Sequence, residues 1–527
     1  MGNDLAQRPA RRPLDRQSYK PVKTVRTTVM VTGIIILSKL LGFVREMVMA
    51  AYFGRGIESD AYVTAYGILS IMTLLFSAGI ASTFIPIYTR TLMRQGQRGA
   101  DMYASNILTI YCIAGILGSI LAYFGAPWIC SLIYRTPSAE GLQLTIDLTR
   151  LMYPSLAFWA MTGVLCNVLN AREQFIPEQL MGFVLSACLI FACVTFQDIR
   201  SVAIAVSVVG VLQFVLLLPF LRGHFRYVPG LRLSDRRMRR TFFLAIPALI
   251  SMAFDEINHQ IDRVIGTGLG TGVVTALSKS YTLVTTALGI LVVPITTIMF
   301  SRLSKIAANR NRKLFVKTVR ESIETIALIT LPVIAICVLM RNDLIALAYQ
   351  RGAFTADDTA FTAPVFACYI LGLFTFGLRS FLTRVFYALQ DTRTPMVVGI
   401  CSVVLNIGLN LLFSRFWGAM GLTLATSLSS VVGSMVLLSL MHRKLGRIGL
   451  SSMMNQFFRI FIALALCALV VLGLMQWMPA ATGSLALLGR LGVTALASLL
   501  VYFIACAFLR VRAVHDLLRM VLFRNRR

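Results

Sequence analysis

Three charged residues, Lys39, Arg45 and Glu46, stand inside the first long apolar segment of the chain, where a bilayer-spanning helix usually carries none. A charge at bilayer depth costs roughly 2.5–3.5 kcal/mol, so such residues mostly face a packed bundle interior or a water-filled cavity. Lys39 and Glu46 are two helical turns apart on nearly one face, with Arg45 about 100° away. We interpret this helix as one wall of a polar cavity. The alternative is that Lys39 and Arg45 reach the membrane surface or pair with Glu46.

Further polar residues occur in other apolar segments. Asp60 opens the second segment, and Lys279, Arg379 and Arg384 stand in the eighth and tenth. In the seventh, i+3 and i+4 steps place five residues on one stripe: Asp255, Glu256, His259, Asp262 and Arg263. Cations reaching inward from both halves suit a substrate with phosphates, because Arg offers a planar fork and Lys a movable point charge. The alternative is that Asp262 pairs with Arg263 and that the arginines near segment ends contact lipid headgroups.

The elements that position these residues are transmembrane helices. The chain has 527 residues, is 57% hydrophobic and only 14% charged, with a mean hydropathy of +0.77. Soluble domains are roughly 25% charged. The formal net charge is +28, but the basic residues form short clusters between apolar runs. That pattern is typical of topology signals and of attraction to anionic membrane lipids, and it argues against nucleic-acid binding.

Apolar runs of roughly 20 residues predict about fourteen transmembrane helices in an all-α polytopic fold. With the N-terminus inside, the predicted inner segments carry far more Lys and Arg than the outer loops, so both termini are predicted to be cytoplasmic. No short apolar segment with a cleavage site precedes the first helix, and we therefore expect no cleaved signal peptide. The expected location is a bacterial cytoplasmic membrane.

Two pairs of segments indicate an internal duplication. Residues 168–179 resemble residues 385–396, and residues 60–66 align with residues 275–281 at a similar offset. Such repeats predict two six-helix lobes with a substrate near the bilayer midplane between them, although chance similarity between apolar helices is the alternative. The predicted organisation is a basic tail at 1–27, lobes at 28–221 and 241–441, a basic linker at 222–240, two further helices within 456–510, and a basic tail at 511–527.

Several kinds of chemistry are not indicated. The ten cysteines lie in or at the ends of apolar runs with no CxxC pair, and the four histidines have no ligand spacing, so neither disulfides nor a transition metal is expected. There is no phosphate-binding glycine loop, and no extramembrane segment is large enough for a Ser/His/Asp site. A transporter is therefore favoured over an enzyme.

The motifs resemble one family as a set. SKLLGFVREMVMAAYFG followed by SDAYVTAY resembles the first two helices of the MurJ (MviN) lipid II flippases, and YQRGAFTADDT, FYALQDTRTP, GAMGLTLATSLS and LGILVVPITTIMFSRLSK match it further along. The resemblance implies the fold of the multidrug/oligosaccharidyl-lipid/polysaccharide exporters, with two six-helix lobes and two extra helices. It also implies movement of the peptidoglycan precursor lipid II from the inner to the outer leaflet by alternating access.

The resemblance also implies roles for individual residues. Lys39 takes the place of a usual Arg, Arg45 is the cavity arginine, and Asp60 is the acidic residue that opens the second helix. A sodium site of the family would correspond to Asp262, Asn406, Asn410 and Thr426. Asn406 and Asn410 are spaced i and i+4, so both amides could face one ion, and bonding between helices is an equally good account. Beyond Na⁺ as a coupling ion, no cofactor is expected.

The chain departs from the family at three cavity positions. Thr73 and Ala78 stand where the family often has Arg and Glu, and Thr282 stands where it has an Arg. Lys279 lies three residues before Thr282 on nearly the same face and could supply the missing charge. These departures bear on the identity of the substrate more than on the fold.

The leading hypothesis is a lipid II flippase driven by membrane potential or an ion gradient, with Lys39, Arg45, Asp60 and Lys279 in the cavity and Glu46 and Arg379 as weaker candidates. Alternatives are a flippase for another polyprenyl-linked glycan, a drug or metabolite antiporter of the same superfamily, a membrane scaffold, or a wall-glycan polymerase. The expected partners are lipid II, membrane lipids and the cell-wall synthesis machinery, and the expected state is a monomer.

Overall fold

The computed structural model describes residues 24–77, 80–134, 138–230, 236–309, 311–446, 449–478, 483–512 and 514, which contain only helices and connections. The first half contains α1 (Thr24–Phe53), α2 (Ile57–Ser77), α3 (Ile80–Ile133), α4 (Ala139–Met152), α5 (Ser155–Ala171), α6 (Ile176–Phe196) and α7 (Ile199–Leu221). The second half contains α8 (Arg236–Thr267), α9 (Val273–Leu291), α10 (Val293–Ala308), α11 (Arg312–Leu339), α12 (Arg341–Tyr349), α13 (Ala356–Ile370), α14 (Leu373–Ala388), α15 (Arg393–Leu445), α16 (Leu450–Trp477) and α17 (Ser484–Phe508).

Within the described ranges, nine helices are long and apolar enough to cross a membrane, or ten if the bent pair α4 and α5 is one crossing. Two of them are longer than one crossing needs and are interrupted by a non-helical residue, Gly96 in α3 and Gly418 in α15. Each of the fourteen predicted segments falls on a helix or on consecutive helices. The all-α membrane fold is confirmed, and the count of fourteen stays a prediction.

The predicted duplication appears in the backbone. Glu173 and Gln390, at the same place in the two matching segments, both adopt left-handed conformations, with φ of 63° and 59°. This is uncommon for residues other than glycine. The turns also follow corresponding helices, α5 and α14, and precede α6 and α15, which begin at Ile176 and Arg393. The same rare turn therefore recurs in the same context in both lobes.

Apolar packing holds each lobe together. One core joins α1 to α7 around Leu148, Met152 and Val202, and the second lobe packs around residues such as Phe381 on α14. The last two helices, α16 and α17, pack against α11 and α12 in a cluster that includes Tyr502. They are thus attached to the second lobe. The linker after α7 ends where α8 begins at Arg236, within the range that the sequence predicts as linker.

Candidate functional site

A carboxylate at the lobe interface contacts two cations. Glu46 on α1 accepts a hydrogen bond from Arg45 Nη2 at 2.8 Å through Oε1 and one from Lys279 Nζ at 2.8 Å through Oε2. Lys279 Nζ also donates to the backbone oxygen of Glu46 at 3.0 Å. Because Lys279 belongs to α9 of the other lobe, this cluster is a charged bridge between the two lobes. We call it the Glu46 bridge, comprising Arg45, Glu46 and Lys279.

Lys279 is only 4% exposed, which is rare for a lysine. Besides Glu46, the ring of Tyr349 lies 5.5 Å from its ammonium group, close enough for a cation–π contact. The Tyr349 hydroxyl in turn donates to the backbone oxygen of Lys279 at 3.2 Å. The lysine is thus held in one place by α1 and α12 together.

A small cavity of about 60 Å³, which we call the central cavity, lies beside the Glu46 bridge. Its lining residues come from both lobes: Glu46, Met49, Ser59, Tyr62, Val63, Tyr66, Arg263, Thr275, Ser278 and Lys279. Sites for small molecules usually enclose roughly 300–1,000 Å³. The space is therefore too small for a sugar-bearing headgroup.

Asp60 forms a second polar connection between the lobes. Its Oδ1 accepts hydrogen bonds from the Thr275 backbone N–H at 2.8 Å and from the Thr275 hydroxyl at 2.6 Å, and its Oδ2 accepts one from the Gly272 N–H. The carboxylate therefore caps the N-terminus of α9, where backbone N–H groups lack helical partners. Asp60 and Thr275 are also aligned by the predicted duplication, so the repeat-related positions meet where the lobes face each other.

The predicted outer end of the bundle is closed by further contacts. Arg55 Nε pairs with Asp358 Oδ1 at 3.0 Å, and its guanidinium carbon lies 4.1 Å from the centre of the Phe361 ring. The backbone N–H of Ala353 donates to Ala51 O at 2.7 Å. These contacts join the end of α1 and the loop after it to the loop after α12 and the first turns of α13.

Glycine allows the end of α1 and the loop after α12 to approach so closely. A Cβ on Gly352 would lie 2.2 Å from Ala51 O, and one on Gly54 would lie 2.5 Å from Ala353 O. Both glycines have positive φ values, 56° and 54°, which other residues seldom adopt. Larger residues at either position would separate the loops.

Removing the outer ion pair tests whether it keeps this end closed. In Arg55→Ala, we expect the first-turn amides of α9 to exchange hydrogen about five-fold faster, because losing a partly buried pair costs about 1 kcal/mol of local stability. Hydrogen–deuterium exchange of the purified chain measures this. Arg200→Ala is the matched control, since Arg200 pairs with Asp147 at 3.3 Å inside one lobe and should leave α9 unchanged. Equal exchange in wild type and Arg55→Ala contradicts the closing role.

The four residues implied as a sodium site lie together. Asp262 Oδ1 accepts from Asn410 Nδ2 at 2.6 Å, and its Oδ2 accepts from the Thr426 hydroxyl at 3.0 Å. The amides of Asn406 and Asn410 are 2.8 Å apart, and Asn406 lies 3.2 Å from Thr426 Oγ1. All four side chains are buried, and Asn410 Oδ1 has no hydrogen-bond partner. A carboxylate, two amides and a hydroxyl are all oxygen donors, the kind that a hard cation requires.

The polar stripe predicted on α8 contacts several neighbouring helices. Glu256 accepts from the Ser70 hydroxyl of α2 at 2.9 Å, whereas Asp262 faces α15. His259 Nδ1 lies 3.2 Å from the Tyr369 hydroxyl, and its ring centre is 4.0 Å from that of Tyr281. The side chain of Asp255 lies outside the described residues. The helix therefore connects the first lobe to the cluster on α15 rather than presenting one face to one cavity.

Other predicted residues lie apart from the bridge. Lys39 is exposed on α1, and its predicted face-sharing partner Glu46 bonds Arg45 and Lys279 instead. Arg379 lies near the start of α15, with Nη2 facing Gly399, and Arg384 Nη1 donates to the Thr297 hydroxyl at 3.0 Å. Among the departures from the family pattern, the Thr73 and Thr282 hydroxyls bond to their own helices at Leu69 O and Ser278 O, and the side chain of Ala78 lies outside the described residues.

The structure adds residues that the sequence did not assign to the cavity. Arg263 lines the central cavity. Asp262 was its local partner in the alternative considered from the sequence, but no ion pair joins the two among the described residues. Tyr62 and Tyr66 also line the central cavity and stack with ring centres 6.0 Å apart. Their i, i+4 spacing was the available signal, since it places the two rings on one face of α2.

Comparisons with a family model and with individual sequences identify the same family. A family model described as "Lipid II flippase MurJ" matches residues 49–491. The chain is 27% identical over 471 residues to a probable lipid II flippase MurJ of Vibrio cholerae, covering 86% of this chain and 89% of that relative. It is 26% identical over 466 residues to a lipid II flippase MurJ of Burkholderia cenocepacia, again covering 86% and 89%.

Solved structures share the fold. The chain matches a structure described as "Lipid II flippase MurJ, inward closed conformation" with a TM-score of 0.76 and 21% identity, over 92% of this chain and 99% of that chain. An inward-facing multidrug resistance MATE family transporter of the MOP superfamily gives a TM-score of 0.67 and 15% identity, over 80% and 98%. At these identities the likeness is evidence for the fold alone.

Proposed function

The chain belongs to the MurJ family of lipid II flippases, and we propose that it moves lipid II from the inner to the outer leaflet of a bacterial cytoplasmic membrane by alternating access. It is a multi-span helical membrane transporter, not an enzyme. We infer that both termini are cytoplasmic, that the chain acts as a monomer, and that it works beside the cell-wall synthesis machinery. The Lys and Arg bias of the predicted inner loops supports this orientation.

The observation that carries the proposal is the Glu46 bridge. Arg45 and Lys279 come from different lobes and share one carboxylate, as two cations can share the oxygens of a pyrophosphate. A phosphate-bearing headgroup that enters from the inner side would replace Glu46 as their partner. Arg263 supplies a third cation in the same space. Substrate binding would thus break the carboxylate contact that joins the lobes here.

The size of the cavity beside the Glu46 bridge implies lobe movement. The central cavity is about 60 Å³, so the lobes must separate before a headgroup enters it. On the outer side, the Asp60 cap and the pair of Arg55 with Asp358 join the lobes. Because both contacts cross between lobes, they must break when the cavity opens outward. The transport cycle would therefore alternate between a state in which these outer contacts are formed and a state in which they are broken. The substrate favours the state for which it has the higher affinity.

We also propose that Na⁺ is the coupling ion and that Asp262, Asn406, Asn410 and Thr426 hold it. The unpartnered Asn410 Oδ1 beside the Asp262 carboxylate supports this assignment. A bound cation supplies a positive charge whose movement couples to the membrane potential. The residues themselves join α8 to α15, so their arrangement links the ion to the helix that also carries Arg263.

The sodium proposal predicts a change in thermal stability. Na⁺ at 100 times its dissociation constant should stabilise the purified wild type by about 2.7 kcal/mol relative to K⁺ at equal ionic strength. Asp262→Asn should abolish that increment, because it removes the only carboxylate of the four-residue cluster. Thermal unfolding in detergent measures it, with Glu256→Gln as a control on the same helix outside the cluster. A Na⁺ increment that survives in Asp262→Asn places the ion elsewhere.

Depleting the chain in its host tests the substrate. We expect lipid II to accumulate in the inner leaflet and wall synthesis to stop. The alternative is a flippase for another polyprenyl-linked glycan. Thr73 and Thr282 support this alternative, because they are uncharged at positions where the family has arginine. Normal wall synthesis with loss of a different surface glycan would establish that alternative instead.

A further inference from the structure

A second cavity, of about 420 Å³, lies between α3 and the first turns of α8. Its lining residues are Thr83, Pro86, Ile87, Arg90, Thr91, Arg94 and Gln95 of α3 and Arg237 and Arg240 of α8. None of them lines the central cavity, and the loop charges predict that this end of the bundle is cytoplasmic. We call this cavity the arginine cleft.

The arginine cleft is lined by cationic side chains from both helices. Four arginines line it, and none of the described residues that line it carries a carboxylate. Arg90, Arg94 and Arg240 are exposed, and none of them forms an ion pair within the described part of the chain. Elsewhere the interfacial cations Arg45, Arg55 and Lys279 each contact a carboxylate. A concave surface with one sign of charge concentrates ions of the opposite sign.

The two sides of the arginine cleft are held in place by direct contacts. Arg237 Nη1 donates to Gln95 Oε1 at 2.7 Å, and its guanidinium carbon lies 5.9 Å from the centre of the Tyr103 ring. The Tyr103 hydroxyl lies 2.7 Å from Thr241 Oγ1 in a buried bond between α3 and α8. The wall of α3 presents Arg90 and Arg94 one turn apart on the same face. The positive site is thus formed before any ligand arrives.

We propose that the arginine cleft binds the phosphate or pyrophosphate group of a membrane lipid. Arginine suits phosphate oxygens because its planar fork can donate two parallel hydrogen bonds. A volume of about 420 Å³ is within the range of small-molecule sites and exceeds what a single phosphate fills. Anionic lipids are abundant in the cytoplasmic leaflet. The ligand is either an anionic phospholipid or a polyprenyl pyrophosphate. The arginine cleft shares no lining residue with the central cavity.

Binding to short-chain probes tests the proposal on the purified full-length chain. Farnesyl pyrophosphate and dioctanoyl phosphatidylglycerol carry the two phosphate chemistries, whereas farnesol and dioctanoylglycerol have the same chains without phosphate. By isothermal titration calorimetry, we expect at least one phosphate-bearing lipid to bind wild type and to bind R90Q/R94Q at least ten-fold more weakly. Preference for farnesyl pyrophosphate identifies a polyprenyl ligand, and preference for phosphatidylglycerol identifies a phospholipid. Inorganic pyrophosphate that binds as tightly as either lipid overturns the assignment to a lipid.

The matched control is R98Q/R239Q, which removes two exposed arginines of the same helices that do not line the cleft. It should bind within two-fold of wild type. The single variant R240Q tests the opposite wall and should weaken binding without touching α3. Equal losses in both double variants, or unchanged affinity in R90Q/R94Q with unchanged thermal unfolding, overturns the proposal. Because the readout is binding, its failure is distinguishable from a failure of lipid II transport.

Discussion

Replacing Arg45 with alanine is expected to abolish complementation in a host depleted of its own lipid II flippase, while the chain still inserts into the membrane. The guanidinium is part of the Glu46 bridge and is the arginine placed to contact substrate phosphates. A charge-assisted hydrogen bond contributes about 1.5–3 kcal/mol, so losing it should slow transport about 10- to 100-fold. Growth rescue and membrane content, measured together, separate lost function from lost protein.

Two controls sharpen the Arg45 experiment. Arg45→Lys keeps the charge but not the planar fork, so it should retain part of the activity. Arg384→Ala removes a partly exposed arginine whose described side-chain hydrogen bond is to Thr297, and it should complement normally. Full growth of Arg45→Ala at wild-type membrane content would show that the guanidinium has no role in transport.

Lys279→Ala is expected to destabilise the closed state and to impair transport. The lysine is buried, and its loss leaves Glu46 with Arg45 as its remaining cationic partner. Breaking a buried pair typically costs roughly 3–5 kcal/mol. Because Glu46 keeps Arg45 and is 20% exposed, we expect a loss of about 2–3 kcal/mol in the free energy of unfolding. Thermal unfolding in detergent measures the loss, and the complementation assay measures transport.

A double-mutant cycle with Glu46 isolates the contact between the lobes. Glu46→Gln combined with Lys279→Ala should cost at least 1 kcal/mol less than the two single changes added together, because both single changes remove the same contact between the two side chains. Thr282→Arg should restore transport to Lys279→Ala, since position 282 lies one turn further along α9 on nearly the same face. Normal stability and transport in Lys279→Ala alone would remove this residue from the site.

The fold was largely predictable because its signals are local. Apolar runs indicate membrane helices from composition alone, and the two matching turns predicted a duplication that appears as left-handed residues at Glu173 and Gln390. The same alignment paired Asp60 with Thr275, and the side chains of these two residues are hydrogen-bonded to each other. What the alignment could not state is that repeat-related positions are in contact, because that depends on how the two lobes pack.

The site was predictable only in part, because helical periodicity gives the face of a side chain but not the helix that it meets. Lys39 and Glu46 share a face of α1, yet Glu46 contacts the other lobe and Lys39 is exposed. The cluster around Asp262 followed from the family resemblance rather than from spacing. A local pair of Arg263 with Asp262 was the alternative considered from the sequence, whereas Arg263 lines the central cavity. Each difference arises from contacts between residues far apart in sequence.

The most direct test of the account is transport of lipid II by the purified chain in sealed vesicles. Lipid II is placed in one leaflet, and a membrane potential is imposed. Its transfer to the other leaflet is measured as cleavage by a membrane-impermeant hydrolase on that side. Wild-type protein should make that lipid accessible, and Arg45→Ala at equal reconstitution should reduce the rate about 10- to 100-fold. Rates with wild type that equal those of protein-free vesicles, or equal rates for wild type and Arg45→Ala, would contradict the account.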